Sequence, residues 1–300
     1  MEPPVPDFEP SAWTFPGWLG PHMLADSRFA RAYNALGDDR RALLKSLIAR
    51  HYALTPPAGT FQTHSTERCG ILERSVLRAP APFALLLLDA SIDSPALFLS
   101  ALLPALCARV PQVLAVRLGP RSALSDALLV SCELAGVESL AALGPVQAQR
   151  LLADCAQSSE PGLVLYADSA EIRRILNRPA VRQALDASPL TLVPLRAPRL
   201  AGLWRDTSLD FPPEDVALLY GGLPFECRGA APGNHARTAP DESSWHDFSL
   251  APRDLLLVPP ARSGQGRAAV TVSGDCLGLW RWPQLHPNIF VQERQIFSTP

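Results

Sequence analysis

Lysine is almost absent from this 300-residue chain, and the basic side chains that it does carry are dispersed. Lys45 is the only lysine among the 27 basic residues, so a Schiff-base mechanism has one candidate nucleophile. The formal net charge is −2, and the arginines form no cluster that could follow a phosphate backbone. We therefore expect no nucleic-acid partner.

The spacings that mark metal sites and hydrolase triads are also missing. The six cysteines include no CxxC pair, which argues against a structural zinc or a disulfide framework. His246 stands beside Asp247, but the chain contains no Gly-x-Ser-x-Gly string, so a serine hydrolase is not indicated. The remaining histidines show no ligand spacing, and we predict no metal site.

No apolar stretch is long enough to cross a bilayer. The longest strongly apolar runs, Phe83–Leu88 and Leu97–Leu106, fall short of the ~20 residues that a spanning helix needs. Residues 1–21 contain acidic side chains and six prolines where a secretory signal has a basic and then an apolar region. We expect a cytoplasmic protein without a membrane segment.

Short apolar runs alternate with helical segments from about Gly70 onward, and this pattern is typical of βαβ units and a parallel sheet. The predicted strands are Phe83–Leu88, Gln112–Leu118, Ser139–Leu143, Gly162–Tyr166 and Leu190–Leu195. The predicted helices between them are Ser94–Arg109, Ser122–Ala135, Pro145–Cys155 and Ser169–Leu185. The fold class is therefore α/β, with a doubly wound, mainly parallel sheet.

The regions on either side of this sheet have a different character. Residues 1–69 read as an extended arm followed by two helices, residues 70–200 as the α/β domain, and residues 201–300 as an irregular β-rich region. Within the last region we predict a strand at Asp215–Tyr220 and a hairpin turn at Gly264–Gly266. The aromatic segment 280–300 is expected to pack against the body.

Residues 70–157 carry a string that resembles a known family. The helix ends in Glu-Leu-Ala-Gly-Val at 133–137, a short strand follows at Ser139–Leu143, and Gly144 and Gln147-Ala148 begin the next helix. This order is similar to the nucleotide-binding part of histidinol dehydrogenase and, more widely, of the aldehyde dehydrogenase superfamily.

The resemblance implies NAD or NADP as cofactor. Helix N-termini at the carboxyl edge of a parallel sheet attract phosphate, and this position places Gly119, Gly144 and Gln147 near the cofactor. Asp168 follows the fourth predicted strand, where it could bind a ribose hydroxyl or cap the next helix. The family's double glycine is Gly144-Pro145 here, which removes one N–H donor.

The catalytic part of the family is not matched. Histidinol dehydrogenases use an adjacent Glu-His pair and a zinc site, and this sequence contains no Glu-His dipeptide. An aldehyde dehydrogenase uses a cysteine nucleophile, and Cys227 is the candidate because it stands in a glycine-rich, loop-like stretch. Arg228 beside it could favour the thiolate.

Three functions follow from these observations. The first is a divergent protein of this fold that lacks the family's usual catalytic apparatus and has an unknown activity. The second is an active NAD(P)-dependent oxidoreductase that acts on an aldehyde or alcohol through Cys227. The third is a non-catalytic accessory or protein-binding subunit, either a homo-oligomer or a protein with a separate partner.

Overall fold

Helices and strands alternate along the chain in the computed structural model, which describes residues 12–55, 63–206, 211–229 and 242–299. Nine α-helices lie in these ranges: α1 (Asp26–Ala35), α2 (Asp38–Leu54), α3 (Pro95–Cys107), α4 (Asp126–Leu134), α5 (Pro145–Ala156), α6 (Ala170–Leu176), α7 (Pro179–Asp186), α8 (Pro213–Tyr220) and α9 (Glu242–Leu250). None of the helices in the described ranges has both the length and the apolar character to cross a membrane.

Twelve strands in the same ranges form three sheets. They are β1 (Thr63–Cys69), β2 (Leu72–Pro80), β3 (Phe83–Leu88), β4 (Gln112–Leu118), β5 (Leu140–Leu143), β6 (Leu163–Ala167), β7 (Thr191–Leu195), β8 (Ala201–Arg205), β9 (Phe225–Gly229), β10 (Leu255–Val258), β11 (Val270–Ser273) and β12 (Val291–Ser298). One sheet contains five strands, one contains four and one contains three.

The five-stranded sheet has the order β5-β4-β3-β6-β7, and all of its strand pairs are parallel. The central strand β3 is buried over its whole length, as an apolar run between two parallel neighbours should be. The chain extends the sheet on one side of β3 through β4 and β5 and then returns to the other side through β6 and β7. This reversal confirms the predicted doubly wound α/β fold.

The four-stranded sheet has the order β11-β10-β8-β9 and is also parallel throughout. The region after residue 200 is β-rich as expected, but its strands are regular. The predicted hairpin turn at Gly264–Gly266 is wrong, because β10 and β11 run in the same direction and their connection is a crossover. The predicted strand Asp215–Tyr220 is also wrong. It lies within helix α8, which begins with a proline and has two acidic residues in its first turn.

Two helix boundaries differ from the sequence prediction. The predicted helix Ser169–Leu185 is divided into α6 and α7, because Pro179 disfavours helical geometry in the residue before it. Ser125 rather than Ser122 caps α4, and its side chain accepts a hydrogen bond from the Leu128 N–H at 3.3 Å. Gly136 has a φ of 75°, the left-handed conformation expected after that helix.

The described part of the N-terminal arm packs against the five-stranded sheet. The Trp13 ring stacks on Phe83 at a centroid distance of 3.8 Å. Further along, Met23 forms an antiparallel bridge with Ala141, and the Leu24 N–H donates to the Leu140 carbonyl at 2.9 Å. The arm thus adds an edge beside β5. Residues 1–11 lie outside the described ranges.

The three-stranded antiparallel sheet has the order β1-β2-β12 and joins the region near residue 70 to the C-terminal segment. Every residue of β1 is exposed. Upstream of β12, Trp280 and Trp282 are buried, and the Trp282 indole N–H donates to the Leu97 carbonyl at 3.3 Å. The segment therefore packs down, as expected from its aromatic composition.

Substituting alanine at Gly162 should destabilise the protein. A Cβ atom there would lie 2.2 Å from Cζ of Phe83, whose buried ring cannot move away because Trp13 stacks on it. We expect Gly162→Ala to lower the free energy of unfolding by about 1–3 kcal/mol, the usual cost of overpacking. Urea unfolding measures this. Gly20→Ala, where a Cβ meets no atom within 4 Å, is the control, and equal losses in both variants would contradict the prediction.

His51 should make the stability of the protein depend on pH. Burial in α2 lowers the pKa of His51 from 6.5 to about 4, so the folded protein holds the neutral ring. As the pH falls below 6.5 the unfolded chain binds a proton that the folded chain does not, and stability is lost until the pH reaches about 4. The loss between pH 7 and pH 5 should be about 2 kcal/mol. Urea unfolding at pH 7 and pH 5 should show a smaller loss of stability for His51→Leu than for the unmodified protein. Equal losses in the two proteins would contradict this account.

Candidate functional site

Four of the predicted site residues lie along one edge of the five-stranded sheet. Gly119, Gly144 and Asp168 immediately follow β4, β5 and β6, and Gln147 is in the first turn of α5. Because the strands are parallel, their carboxyl ends meet at this edge. The residues are nevertheless divided by β3: the two glycines and Gln147 lie on one side of it, and Asp168 lies on the other.

The two glycine turns have few groups free for a phosphate. The Gly119 N–H donates to the Leu143 carbonyl at 3.0 Å, and Pro145 has no N–H to offer. The Gln147 side chain folds over Gly144, so that its Oε1 lies 2.8 Å from where a Cβ on that glycine would be. These residues fit a pyrophosphate poorly, and NAD or NADP stays a prediction from the resemblance.

The N-terminal segment lies against this same half of the edge. Arg121, two residues after Gly119, donates a hydrogen bond to the Pro21 carbonyl. The Trp18 indole N–H donates to Asp154, near the C-terminal end of α5, at 2.7 Å. Direct hydrogen bonds thus join the arm to the segment after Gly119 and to α5.

Asp168 is held by two arginines. Its Oδ1 accepts a hydrogen bond from Nε of Arg173 at 2.5 Å, and its Oδ2 accepts one from Nε of Arg196 at 3.0 Å. The capping role belongs to its neighbour Ser169, whose hydroxyl accepts the Ile172 N–H at 3.2 Å. Both carboxylate oxygens of Asp168 are therefore already bonded within the protein.

A cleft of about 740 Å³ opens beside Asp168. It lies between the carboxyl ends of β6 and β7 and the amino ends of β8 and β10, and its wall includes Arg173, Arg196 and Arg199. Asp254 is also in the wall and accepts the backbone N–H groups of Arg199 and Leu200 at 2.7 and 3.0 Å. The cleft is the place where the two parallel sheets present side chains to a common space.

Cys227 does not lie in the loop expected from the sequence. It stands in the middle of β9, at the edge of the four-stranded sheet, with an exposed side chain. Nε of Arg228 donates a hydrogen bond to Glu226 at 2.8 Å. Because alternate residues of a strand face the same side, Glu226 and Arg228 face away from Cys227. Cys227 is not among the residues that line the cleft, and Asp168 is the only predicted site residue that does.

Sequence reasoning missed a charge pair at the end of β4 whose arginine is buried. Arg117 has a side chain only 5% exposed, and its Nη2 lies 4.0 Å from Oδ1 of Asp93 in the loop after β3. Burial raises the pKa of Asp93 above its ordinary value, and the charge of Arg117 opposes this shift. An arginine within the apolar run of β4 was the available signal. Two of the three cleft arginines, Arg196 and Arg199, belong to the Arg-Ala-Pro-Arg string at 196–199, directly after β7, and this string was their only signal.

Comparison with known proteins supports the fold. No family model matches the sequence, and no curated protein does. Among solved structures, histidinol dehydrogenase from Elizabethkingia anophelis is similar, with a TM-score of 0.52 and 10% identity over 92% of this chain and 76% of that one. A putative aldehyde dehydrogenase from Bacillus subtilis has a TM-score of 0.39 and 11% identity, covering 92% and 90% of the two chains.

A third structure is similar over a smaller part. It is succinate-semialdehyde dehydrogenase from Burkholderia pseudomallei, with a TM-score of 0.36 and 14% identity over 64% of this chain and 42% of that one. The chain therefore spans less than half the length of this enzyme. The likeness to histidinol dehydrogenase confirms, at the level of the fold, the resemblance found in the sequence: this chain has a dehydrogenase-like fold.

The cysteines should divide into two classes by reactivity. Cys69, Cys227 and Cys276 are exposed, whereas the other three are buried, and burial raises the pKa of Cys155 to about 12. We expect a disulfide reagent such as Ellman's reagent to modify three thiols quickly in the native protein and six in denaturant. Cys227→Ala should reduce the fast class to two, and an unchanged fast class would show that Cys227 is protected.

Proposed function

We propose that this protein is a ligand-binding member of the dehydrogenase-like fold, in which the cleft beside Asp168 takes up a small organic anion. In this proposal Cys227 is not a dehydrogenase nucleophile. The observation that carries it is the set of three arginines in the wall of one cleft at the carboxyl edge of the sheet. Their side chains belong to α6 and to the segment after β7.

The arginines retain donors that an anion can use. Arg196 gives only its Nε to Asp168 within the described residues, so its two terminal nitrogens are free, and its side chain is 82% exposed. The Arg199 guanidinium forms no ion pair with any residue in the described ranges. Guanidinium groups bind carboxylates and phosphates through two parallel hydrogen bonds, which makes an oxyanion the natural occupant.

The position of the cleft also supports ligand binding. In doubly wound sheets, ligands bind outside the carboxyl ends of the strands, near the point where the strand order reverses. Here the order reverses between β3 and β6, and the cleft begins at the end of β6. Its volume of about 740 Å³ is within the usual range for a small-molecule site.

A nicotinamide dinucleotide, NAD or NADP, is the first anion to test because of the resemblance in the sequence. The glycine turns fit its pyrophosphate poorly, so the cleft arginines would have to supply the anion contacts. The alternative of an active oxidoreductase requires Cys227 beside the substrate, and no described contact brings Cys227 to the cleft. A second copy of this chain or another protein partner stays a prediction from the sequence.

Binding measurements on matched variants test the proposal. Calorimetry and thermal unfolding would use NAD, NADH, NADP, NADPH and a panel of small carboxylates and phosphates, since a ligand that binds only the native state raises apparent stability. We expect at least one anion to bind, and Arg196→Ala to weaken it about tenfold or more, because a charged hydrogen bond contributes about 1.5–3 kcal/mol.

Two control variants sharpen this test. Arg182→Ala removes an exposed arginine of α7 that pairs with Asp186 away from the cleft, and Cys227→Ala removes the proposed nucleophile of the alternative. Both should bind the anion as the unmodified protein does. A lack of binding by every anion, or binding that depends on Cys227 and not on Arg196, would contradict the proposal.

A further inference from the structure

The charges in the cleft wall nearly balance, and this balance limits the charge of a ligand. Three arginines, Arg173, Arg196 and Arg199, face two carboxylates, Asp168 and Asp254, so the wall has a net charge of +1. One negative charge on the ligand would therefore neutralise the wall. A second negative charge on the ligand would be repelled by the two carboxylates, and no arginine charge would remain to offset that repulsion.

Asp168 determines how the arginines present their donors. Its carboxylate accepts a hydrogen bond from Nε of Arg173 and from Nε of Arg196, which fixes both guanidinium groups. Only their terminal nitrogens remain for a ligand. One terminal nitrogen of Arg173 also donates to the Asp168 carbonyl at 3.1 Å. Asp168 is thus a positioning residue and contributes half of the negative charge of the wall.

The rest of the wall offers little to a polar ligand. It is formed largely by apolar side chains: Pro194, Ala197, Pro198, Ala269, Trp280 and Pro283. The amide of Gln284 is already bonded to the Pro194 carbonyl through its Nε2. A ligand that matches this wall carries its charge at one end and an apolar body behind it.

Within the proposed function, on which this step rests, we infer that the cleft selects a singly charged carboxylate carried on an apolar body. Arg196 and Arg199 bind the carboxylate, and the proline and tryptophan side chains contact the apolar part. A phosphate monoester, which has close to two charges at neutral pH, is the disfavoured head group.

Three probes that each contain six carbon atoms test the head group: hexanoate, hexanamide and hexyl phosphate. Their dissociation constants at pH 8 would be measured by calorimetry or by ligand-observed NMR. We expect hexanoate to bind at least tenfold more tightly than hexanamide and several-fold more tightly than hexyl phosphate. Arg196→Ala and Arg199→Ala should each weaken hexanoate about tenfold, and Arg182→Ala should leave it unchanged.

Two further measurements test whether the cleft favours a ligand with one negative charge over a ligand with two. At pH 5.5 hexyl phosphate carries close to one charge, since its second pKa is near 6, and its affinity relative to hexanoate should rise. Asp168→Asn raises the charge of the wall by one, so at pH 8 the ratio of phosphate to carboxylate affinity should increase about tenfold. Without the Asp168 carboxylate the two arginines also lose their fixed orientation, which weakens the binding of both ligands. The ratio of the two affinities still reports the effect of charge.

The outcomes separate this inference from the proposed function. Tighter binding of hexyl phosphate at pH 8, or a ratio that Asp168→Asn does not change, would overturn the carboxylate preference while anion binding stands. Equal binding of hexanamide and hexanoate would overturn the carboxylate preference. The proposed function itself is wrong if none of these probes and no anion of the first panel binds.

Discussion

The burial of β3 between two parallel neighbours is the constraint on which the rest of the structure depends. All six of its residues are enclosed, and the chain adds strands first on one side of it and then on the other. Phe83, the first residue of β3, stacks against Trp13 of the N-terminal arm and lies close to Gly162, which precedes β6. This arrangement separates the glycine turns from Asp168 and leaves the cleft at the β6–β7 side.

Much of the five-stranded sheet could be predicted from the sequence because its strands are apolar on both faces. Such strands appear as continuous runs, and Phe83–Leu88 was placed correctly at both ends. The prediction is wrong where an apolar run is short. The residues of α8 read equally well as a strand, and the proline at its start was the better signal. Residues 63–80 form a polar hairpin whose alternation is weak.

The site was harder to predict because its residues meet only through the fold. Asp168 could be placed at a strand end, but its partners Arg173 and Arg196 come from a helix and from the segment after the next strand. No sequence spacing predicts that both would bind one carboxylate. Cys227 seemed to lie in a loop because glycines surround it, yet pairing with β8 makes that stretch a strand.

The central claim is that the arginine-lined cleft, and not the glycine turns or Cys227, is the ligand site. A crystal structure of the protein grown with hexanoate tests it most directly. The account predicts the carboxylate within about 3 Å of the terminal nitrogens of Arg196 or Arg199, with the apolar chain against Trp280. Hexanoate bound at Gly119 and Gly144, or beside Cys227, with the cleft empty would contradict it.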